Sequence, residues 1–204
     1  MPAVIHCHQP GQMVMDKPQQ LISTAFRLFY ENGIHATGIN QILKEAGVAK
    51  KTLYHHFPAK DDLLLAVLEY RDQRFSGWLL DRLAGAESPE ALCHAWFMAL
   101  DDWFHDRVEA LLTFRGCFFI HSAAEYSDPD HPVHQQCRRH KQQLQQALQQ
   151  RLQQYTTPDN AARLAQEWCL LKEGAIVAAE VNRDLQAGRH ALTIARRSLD
   201  GVQV

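Results

Sequence analysis

The stretch that most limits what this chain can fold into runs from Gly38 to Lys60, GINQILKEAGVAKKTLYHHFPAK. Ile39, Ile42, Leu43 and Ala46 recur at i, i+3, i+4 and i+7, which puts them on one face of a helix. Gly47 can enter the left-handed conformation that stops such a helix. A second helix starts at Lys50, turns Leu53 and Phe57 inward and ends at Pro58. Two short helices joined by a Gly-containing turn, with donors on the outer face of the second, have the pattern of a helix-turn-helix.

That outer face suits a polyanion. Lys50, Lys51 and Thr52 fall in the first turn, the part of a recognition helix that reaches base edges in the major groove. Tyr54, His55, His56 and Lys60 carry donors suited to phosphate oxygens, which set register without reading sequence. Residues 17 to 60 hold six Lys and Arg against two Glu, a local excess of positive charge on a chain whose formal net charge is −2. A basic patch on a mildly acidic protein is the footprint of a nucleic-acid reader attached to something else. On spacing alone, a solvated helical pair with no partner fits too.

The rest of the chain shows no strand alternation, and the expected fold class is all-α. Leu21, Ile22, Ala25, Phe26, Leu28 and Phe29 make the apolar stripe of a first helix that Asn32-Gly33 closes. A longer helix, 60 to about 83, begins beside the helix-turn-helix and runs into the second domain, so it is the mechanical link. Further helices are expected over 89–105, 108–124, 132–155, 158–187 and 191–202. The glutamine-rich segment keeps Cys137, Leu144, Leu148 and Leu152 on one stripe, which favours an exposed amphipathic helix over a low-complexity tract. From Trp168 to Val181 the chain is apolar around most of the helix and must be covered on several sides. A second subunit is one natural cover; a central position in its own domain is the other.

Composition sets outer bounds. With 204 residues, 46% hydrophobic and 22% charged, the chain is ordinary for one or two globular domains. No apolar run approaches the roughly 18 residues of a membrane span. Residues 1–15 lack a secretory signal's basic and apolar regions and read as a flexible arm, with Met13 or Met15 an alternative start. His6-Cys7-His8 in that arm is a weak metal candidate. Five scattered cysteines point to free thiols and a cytoplasmic location.

Residues 21–69, LISTAFRLFYENGIHATGINQILKEAGVAKKTLYHHFPAKDDLLLAVLE, resemble the N-terminal DNA-binding domain of the TetR (tetracycline-repressor-like) family. TLYHHF followed by Lys60 and Leu63 is the most specific part. The resemblance implies a three-helix DNA-binding domain, expected at 16–62, and a ligand-binding and dimerisation domain at 63–204. Carried over by position, Thr37, Gly38, Lys50, Lys51, Thr52, Tyr54, His55, His56 and Lys60 are the DNA contacts. Gly38, Ala49 and Ala59 stand where the family usually places a Ser or Thr cap, and Lys51 where Gly is frequent. The resemblance also implies a homodimer on a palindromic double-stranded operator, most simply a repressor released by a small effector, with no cofactor.

The implied dimer is a four-helix bundle of the last two helices, with Trp168, Leu171, Gly174, Ala175, Ala178, Val181, Leu192, Ala195 and Leu199 at the interface. RGCFFIHSAAEYSDPDHPVHQQC is similar to the sixth-to-seventh helix region of one TetR branch, where Asn is frequent at the position of His121. Trp96, Trp103, Phe114, Phe118 and Trp168 can line an apolar effector pocket, though each serves equally as core. Cys117, His121 and Glu125 are spaced one turn apart on one face. That spacing suits a transition metal as effector, an organic ligand, or plain hydrogen bonding. An all-α enzyme using His121 and Glu125 as acid and base is the remote alternative; no nucleophile, phosphate loop or cofactor fingerprint accompanies the pair.

Overall fold

The structure, a computed structural model, describes residues 16–200; the arm at 1–15, its His6-Cys7-His8 and Val202 lie outside the described residues. Within them the chain is all-helical. No described helix is long and apolar enough to cross a membrane.

Helix α1 (Lys17–Asn32) is capped by Asp16, whose carboxylate accepts the Gln19 N–H at 3.0 Å. It buries Leu21, Ala25, Phe26, Leu28, Phe29 and Tyr30. Helices α2 (Ile39–Ala46) and α3 (Lys50–His56) pack against it, with Ile42, Ala46, Val48 and Leu53 filling the space between. Gly47, at φ 60°, ends α2 in the left-handed region, where any L side chain is strained. Helix α4 (Lys60–Leu83) is about 36 Å long and packs on α1 at one end and on later helices at the other. The Asp62 carboxylate accepts the Ala59 N–H (2.8 Å), while Ala59 itself offers no side-chain cap.

The body is built from α4, α5 (Pro89–Phe104), α6 (Phe118–Glu125), α7 (Pro132–Leu152), α8 (Pro158–Val181) and α9 (Ala187–Arg197). Ser88 and Thr157 cap α5 and α8 through bonds to Ala91 and Asn160 N–H, with a proline opening each helix. On α7 the buried residues form one line, Val133, Cys137, His140, Leu144, Leu148 and Leu152, and the glutamines face outward. Trp96, Phe97, Trp103 and Trp168 sit at the centre of the body, each contributing roughly 2–3 kcal/mol through burial.

Two boundaries differ from expectation. The helix expected over 108–124 is a 3-10 turn at Glu109–Leu111, then a loop, then α6. The loop's peptide groups bond sideways: Phe114 N–H to the Asp106 carboxylate (2.5 Å) and Arg115 N–H to the Tyr30 hydroxyl (2.9 Å). Leu112 (φ 63°) and Gly116 (φ 86°) bend the chain into the left-handed region. The second difference is at α8, which stops at Val181 instead of continuing to 187. Arg183 (φ 57°) turns the chain, Asp184 N–H returns to the Ala178 carbonyl (3.3 Å), and α9 begins four residues earlier than expected.

Candidate nucleic-acid interface and the joint behind it

The outer face of α3 is open. Lys50, Lys51, Tyr54, His55 and His56 are exposed and Thr52 is half-buried, while Leu53 is fully enclosed. Neither lysine is in an ion pair among the described residues; Lys50 Nζ lies 5.8 Å from the Tyr54 ring centre. Arg27 is different, since Glu31 (3.3 Å) and Glu45 (3.2 Å) both pair with it. Lys17, Lys44, Lys50 and Lys51 are thus left without a carboxylate partner among the described residues, and the last two lie on the outer face of α3. Gly38 and Ala49 begin α2 and α3 without a side-chain cap, which leaves first-turn N–H groups unbonded by side chains.

Two of the carried-over contacts point the other way. Thr37 is fully buried, and its hydroxyl donates to the carbonyls of Gly33 (2.8 Å) and Leu28 (3.3 Å). Its side chain closes the end of α1 instead of facing a duplex. Lys60 is half-buried: Nζ donates to the Ile34 carbonyl (2.5 Å) and lies over the Phe29 ring. Burial pulls its pKa down, with Glu125 and Asp61 opposing. It braces the α1–α2 turn.

That turn is held from the body as well. Glu125, at the end of α6, accepts the N–H groups of Ile34 (2.8 Å) and His35 (2.6 Å) and pairs with His35 Nδ1 (2.7 Å). Burial pushes the Glu125 carboxyl up, but these three donors outweigh it and hold it below its ordinary value. Beside it the Tyr126 hydroxyl donates to Asp61 (2.7 Å). At the other end of α6, the Tyr30 hydroxyl donates to the Gly116 carbonyl (2.8 Å), and burial raises its pKa to about 12. Gly116, at φ 86°, strains any L side chain, and an added Cβ would lie 1.9 Å from the Glu180 carboxylate, which would have to leave His121 to make room. Helix α6 is thus a clamp with both ends fastened to the three-helix unit.

The expected trio of Cys117, His121 and Glu125 is not brought together. His121 pairs with Glu180 of α8 (2.6 Å), Cys117 Sγ accepts from Lys141 (3.3 Å), and Glu125 serves the α1–α2 turn. The loop before Phe118 puts Cys117 at the cap instead of on the helix, so the one-turn spacing no longer describes a shared face. No group of three His, Cys, Asp or Glu side chains that could hold a metal occurs among the described residues. Glu125 and His121 are likewise not partners, which removes the acid–base pair of the enzyme alternative.

The aromatic candidates divide. Trp96 and Trp168 belong to the core, Trp168 packing on Phe97 and donating to Ser198 (3.2 Å). Phe114 packs edge-on against Trp103 with ring centres 4.9 Å apart. Trp103, Cys117 and Phe118 do line a small cavity, together with three residues outside the expected pocket set: Arg71, His140 and Lys172. All three are at most 2% exposed. Arg71 is surrounded by Phe26, Tyr30, Phe75 and Trp103, its guanidinium carbon 5.3–5.7 Å from each ring centre. A signal existed for each of the three. Arg71 continues the stripe Leu64, Val67, Leu68, Phe75, Leu79, and His140 the buried line of α7. Lys172 falls between Trp168 and Ala175 on the buried side of α8.

One apolar face lacks a cover. Leu170 (67% exposed), Gly174, Val177 and Val181 (70%) share one side of α8, and Ile194 of α9 stands near them. Ala175, Ala178 and Leu171 line the shallow groove between the two helices. Trp168, Leu192 and Ala195, expected at a dimer interface, are instead buried within their own chain, and Leu199 is half-buried. Two positions along a helix are about 200° of rotation, enough to exchange inside for outside. Leu170 and Val177, which the expected set omits, stand on the uncovered side for the same reason.

Comparison with known proteins agrees with this architecture. Residues 21–67 match the family described as bacterial regulatory proteins, tetR family. Residues 91–192 match the C-terminal domain of LmrA/YxaF-like transcriptional regulators. The crystal structure of SCO4454, a TetR-family transcriptional regulator from Streptomyces coelicolor, is similar with a TM-score of 0.79 and 31% identity, covering 91% of this chain and 95% of that one. Among curated relatives, the HTH-type regulator YxaF of Bacillus subtilis is 46% identical over 56 residues, 27% of this chain and 29% of that protein. HbdR of Aromatoleum is 35% identical over 85 residues, 41% of this chain and 37% of that protein. The chain thus spans about a third of the length of these curated relatives. With three helices that present a basic recognition face, a helical body clamped to them and a full-length structural relative at this identity, the chain belongs to the TetR family of helix-turn-helix transcriptional regulators.

Proposed function

We propose that this regulator is a homodimeric repressor that holds a palindromic double-stranded operator and leaves it when a small effector enters the body. Residues 16–62 form the DNA-reading head and 63–204 the effector-binding and dimerising body. The observation that carries the reading is the α3 face: Lys50, Lys51, Tyr54, His55 and His56 lie exposed on a helix whose inner side is locked by Leu53. Lys50, Lys51 and Thr52 read base edges; Tyr54, His55, His56 and the start of α2 at Gly38 meet phosphates. The uncovered α8–α9 face supports pairing of two copies, which presents two heads to two half-sites. The protein acts in the cytoplasm and has no catalytic role.

The clamp at α6 supports the effector arm. A ligand shifts the heads only through its differential affinity for the two arrangements. Any movement of α6 is passed to the α1–α2 turn through Glu125 and to α1 through Tyr30.

Salt-dependent binding to the DNA flanking the protein's own gene tests the reading, with sedimentation of the same sample for the dimer. Affinity is expected to fall steeply with salt. Lys50→Ala is expected to relax preference at one or two base positions by about 1–3 kcal/mol. A monomer with no salt-sensitive attraction to any duplex overturns it.

A further inference from the structure

The inner cavity has an unusual polar inventory. Its closed volume is about 10 Å³, room for about one water, and its walls include Phe75, Phe118 and Phe119. Almost all of its polar groups are donors or cations. Arg71 makes one hydrogen bond, Nη1 to the Leu111 carbonyl (3.3 Å), and faces no carboxylate among the described residues. The Trp103 indole N–H is buried with no partner. Lys141 and Lys172 share one counter-ion, Glu173, which accepts from Lys141 at 2.7 Å and from Lys172. Asp72, the other acid close by, is occupied by His140 (2.6 Å) and Ser76 (2.7 Å).

Outside this cavity lies a cleft of about 470 Å³ lined by Ile120 and Cys169, by Gln142, Gln145 and Gln166, and at its rim by Leu170 of the uncovered α8 face. That is the size of a small-molecule site. Lys141 and Lys172 line both spaces, so the Lys141–Glu173–Lys172 bridge is the partition between them. Glu173 already shows what the partition recognises. Burial pushes its carboxyl up, yet the two ammonium groups outweigh burial and hold it below its ordinary value.

We propose that the body binds a monocarboxylate with an apolar tail: its carboxylate takes the place of Glu173 between Lys141 and Lys172, and its tail lies in the outer cleft. This rests on the effector-responsive reading given above and names the chemical class of the effector. A cation is excluded by the buried Arg71 and Lys172, with the part-exposed Lys141 beside them. A neutral ligand in the place of Glu173 leaves the two ammonium groups without a counter-charge. The position also explains how occupancy reaches the DNA-reading unit, since Arg71, in the inner wall, is packed against Phe26 and Tyr30 of α1.

Hexanoate, its neutral isostere hexanamide, acetate and inorganic phosphate, each titrated into the full-length protein by calorimetry and thermal shift without DNA, test the proposal. Hexanoate is expected to bind saturably and raise the Tm, with hexanamide and acetate at least tenfold weaker. Lys172→Met is expected to abolish the preference for hexanoate over hexanamide. Should that buried substitution unfold the chain, Lys141→Met, at a part-exposed position, is expected to reduce the preference at least tenfold. Equal binding of hexanamide, tighter binding of phosphate, no saturable binding of hexanoate, or a preference unchanged by either substitution overturns the proposal. Release of DNA by a neutral compound sinks the carboxylate while leaving the effector reading standing, whereas failure to bind DNA sinks the latter alone.

Discussion

The same residue types do opposite things at the two ends of this molecule. On α3, Lys50, Lys51, His55 and His56 stand in solvent, where ordinary hydration costs nothing and their donors are free for a partner. In the body, Arg71, His140 and Lys172 are enclosed, and burial lowers the pKa of each. What separates the two sets is register, not composition. The α3 charges lie off the Leu53–Phe57 line, and the body charges lie on the buried lines of α4, α7 and α8. Removing a charge off the line is expected to change binding and leave folding alone. A charge on the line is expected to do both, and the two effects can be separated.

The largest expected effect is at Arg71. Arg71→Ala leaves a hole among four aromatic rings and an unpaired Leu111 carbonyl, and is expected to destabilise by roughly 3–5 kcal/mol. Arg71→Met fills most of the volume and removes the buried charge, so its stability is expected within about 1 kcal/mol of the parent or above it. Urea unfolding of the two variants checks this. Equal losses would show that the guanidinium, not its bulk, holds the joint, and the contrast with α3 would narrow.

A sharper contrast lies inside the head, between two lysines that resemblance alone treats alike. Lys51→Ala is expected to leave stability within about 0.5 kcal/mol and to lower the salt slope of DNA binding by about one phosphate. Lys60→Ala removes the donor to the Ile34 carbonyl and is expected to cost about 1–2 kcal/mol of stability, with the salt slope unchanged. If Lys60→Ala lowers the slope and spares stability, the side chain leaves Ile34 for a phosphate when DNA binds.

These contrasts mark where the sequence was legible. The helix-turn-helix could be read because its signals are local: an apolar i, i+3, i+4 stripe, a stop glycine and a proline. The helices of the body were placed by the same periodicity, and α4, α5 and α7 start where the sequence indicates. Long-range bonds could not be read. Tyr30 with Gly116, Glu125 with Ile34 and His121 with Glu180 join residues 86, 91 and 59 positions apart, and no spacing rule reaches that far. The break before α6 stems in part from such a bond, because the Arg115 peptide group bound to distant Tyr30, like Phe114 bound to nearby Asp106, cannot also close a helical turn. The outward face of α8 failed for another reason: a helix apolar on most sides gives no phase by which to choose one.

The smallest effect concerns the recognition helix itself, which begins without a cap. Ala49 sits at the N-cap of α3 with φ −68° and ψ 146°, the extended geometry in which a serine hydroxyl can accept a first-turn N–H. Ala49→Ser is therefore expected to stabilise the protein by about 1 kcal/mol, which for a chain of this size is about 2–4 °C in Tm. The same substitution satisfies donors at the mouth of the DNA-reading face that a phosphate oxygen could otherwise take. If those N–H groups meet DNA, the gain in stability comes with unchanged or weaker operator affinity. If they meet only water, stability and affinity rise together, because a helix preformed for binding loses less entropy on the duplex. Differential scanning calorimetry with a salt-controlled binding titration on the one variant decides between them.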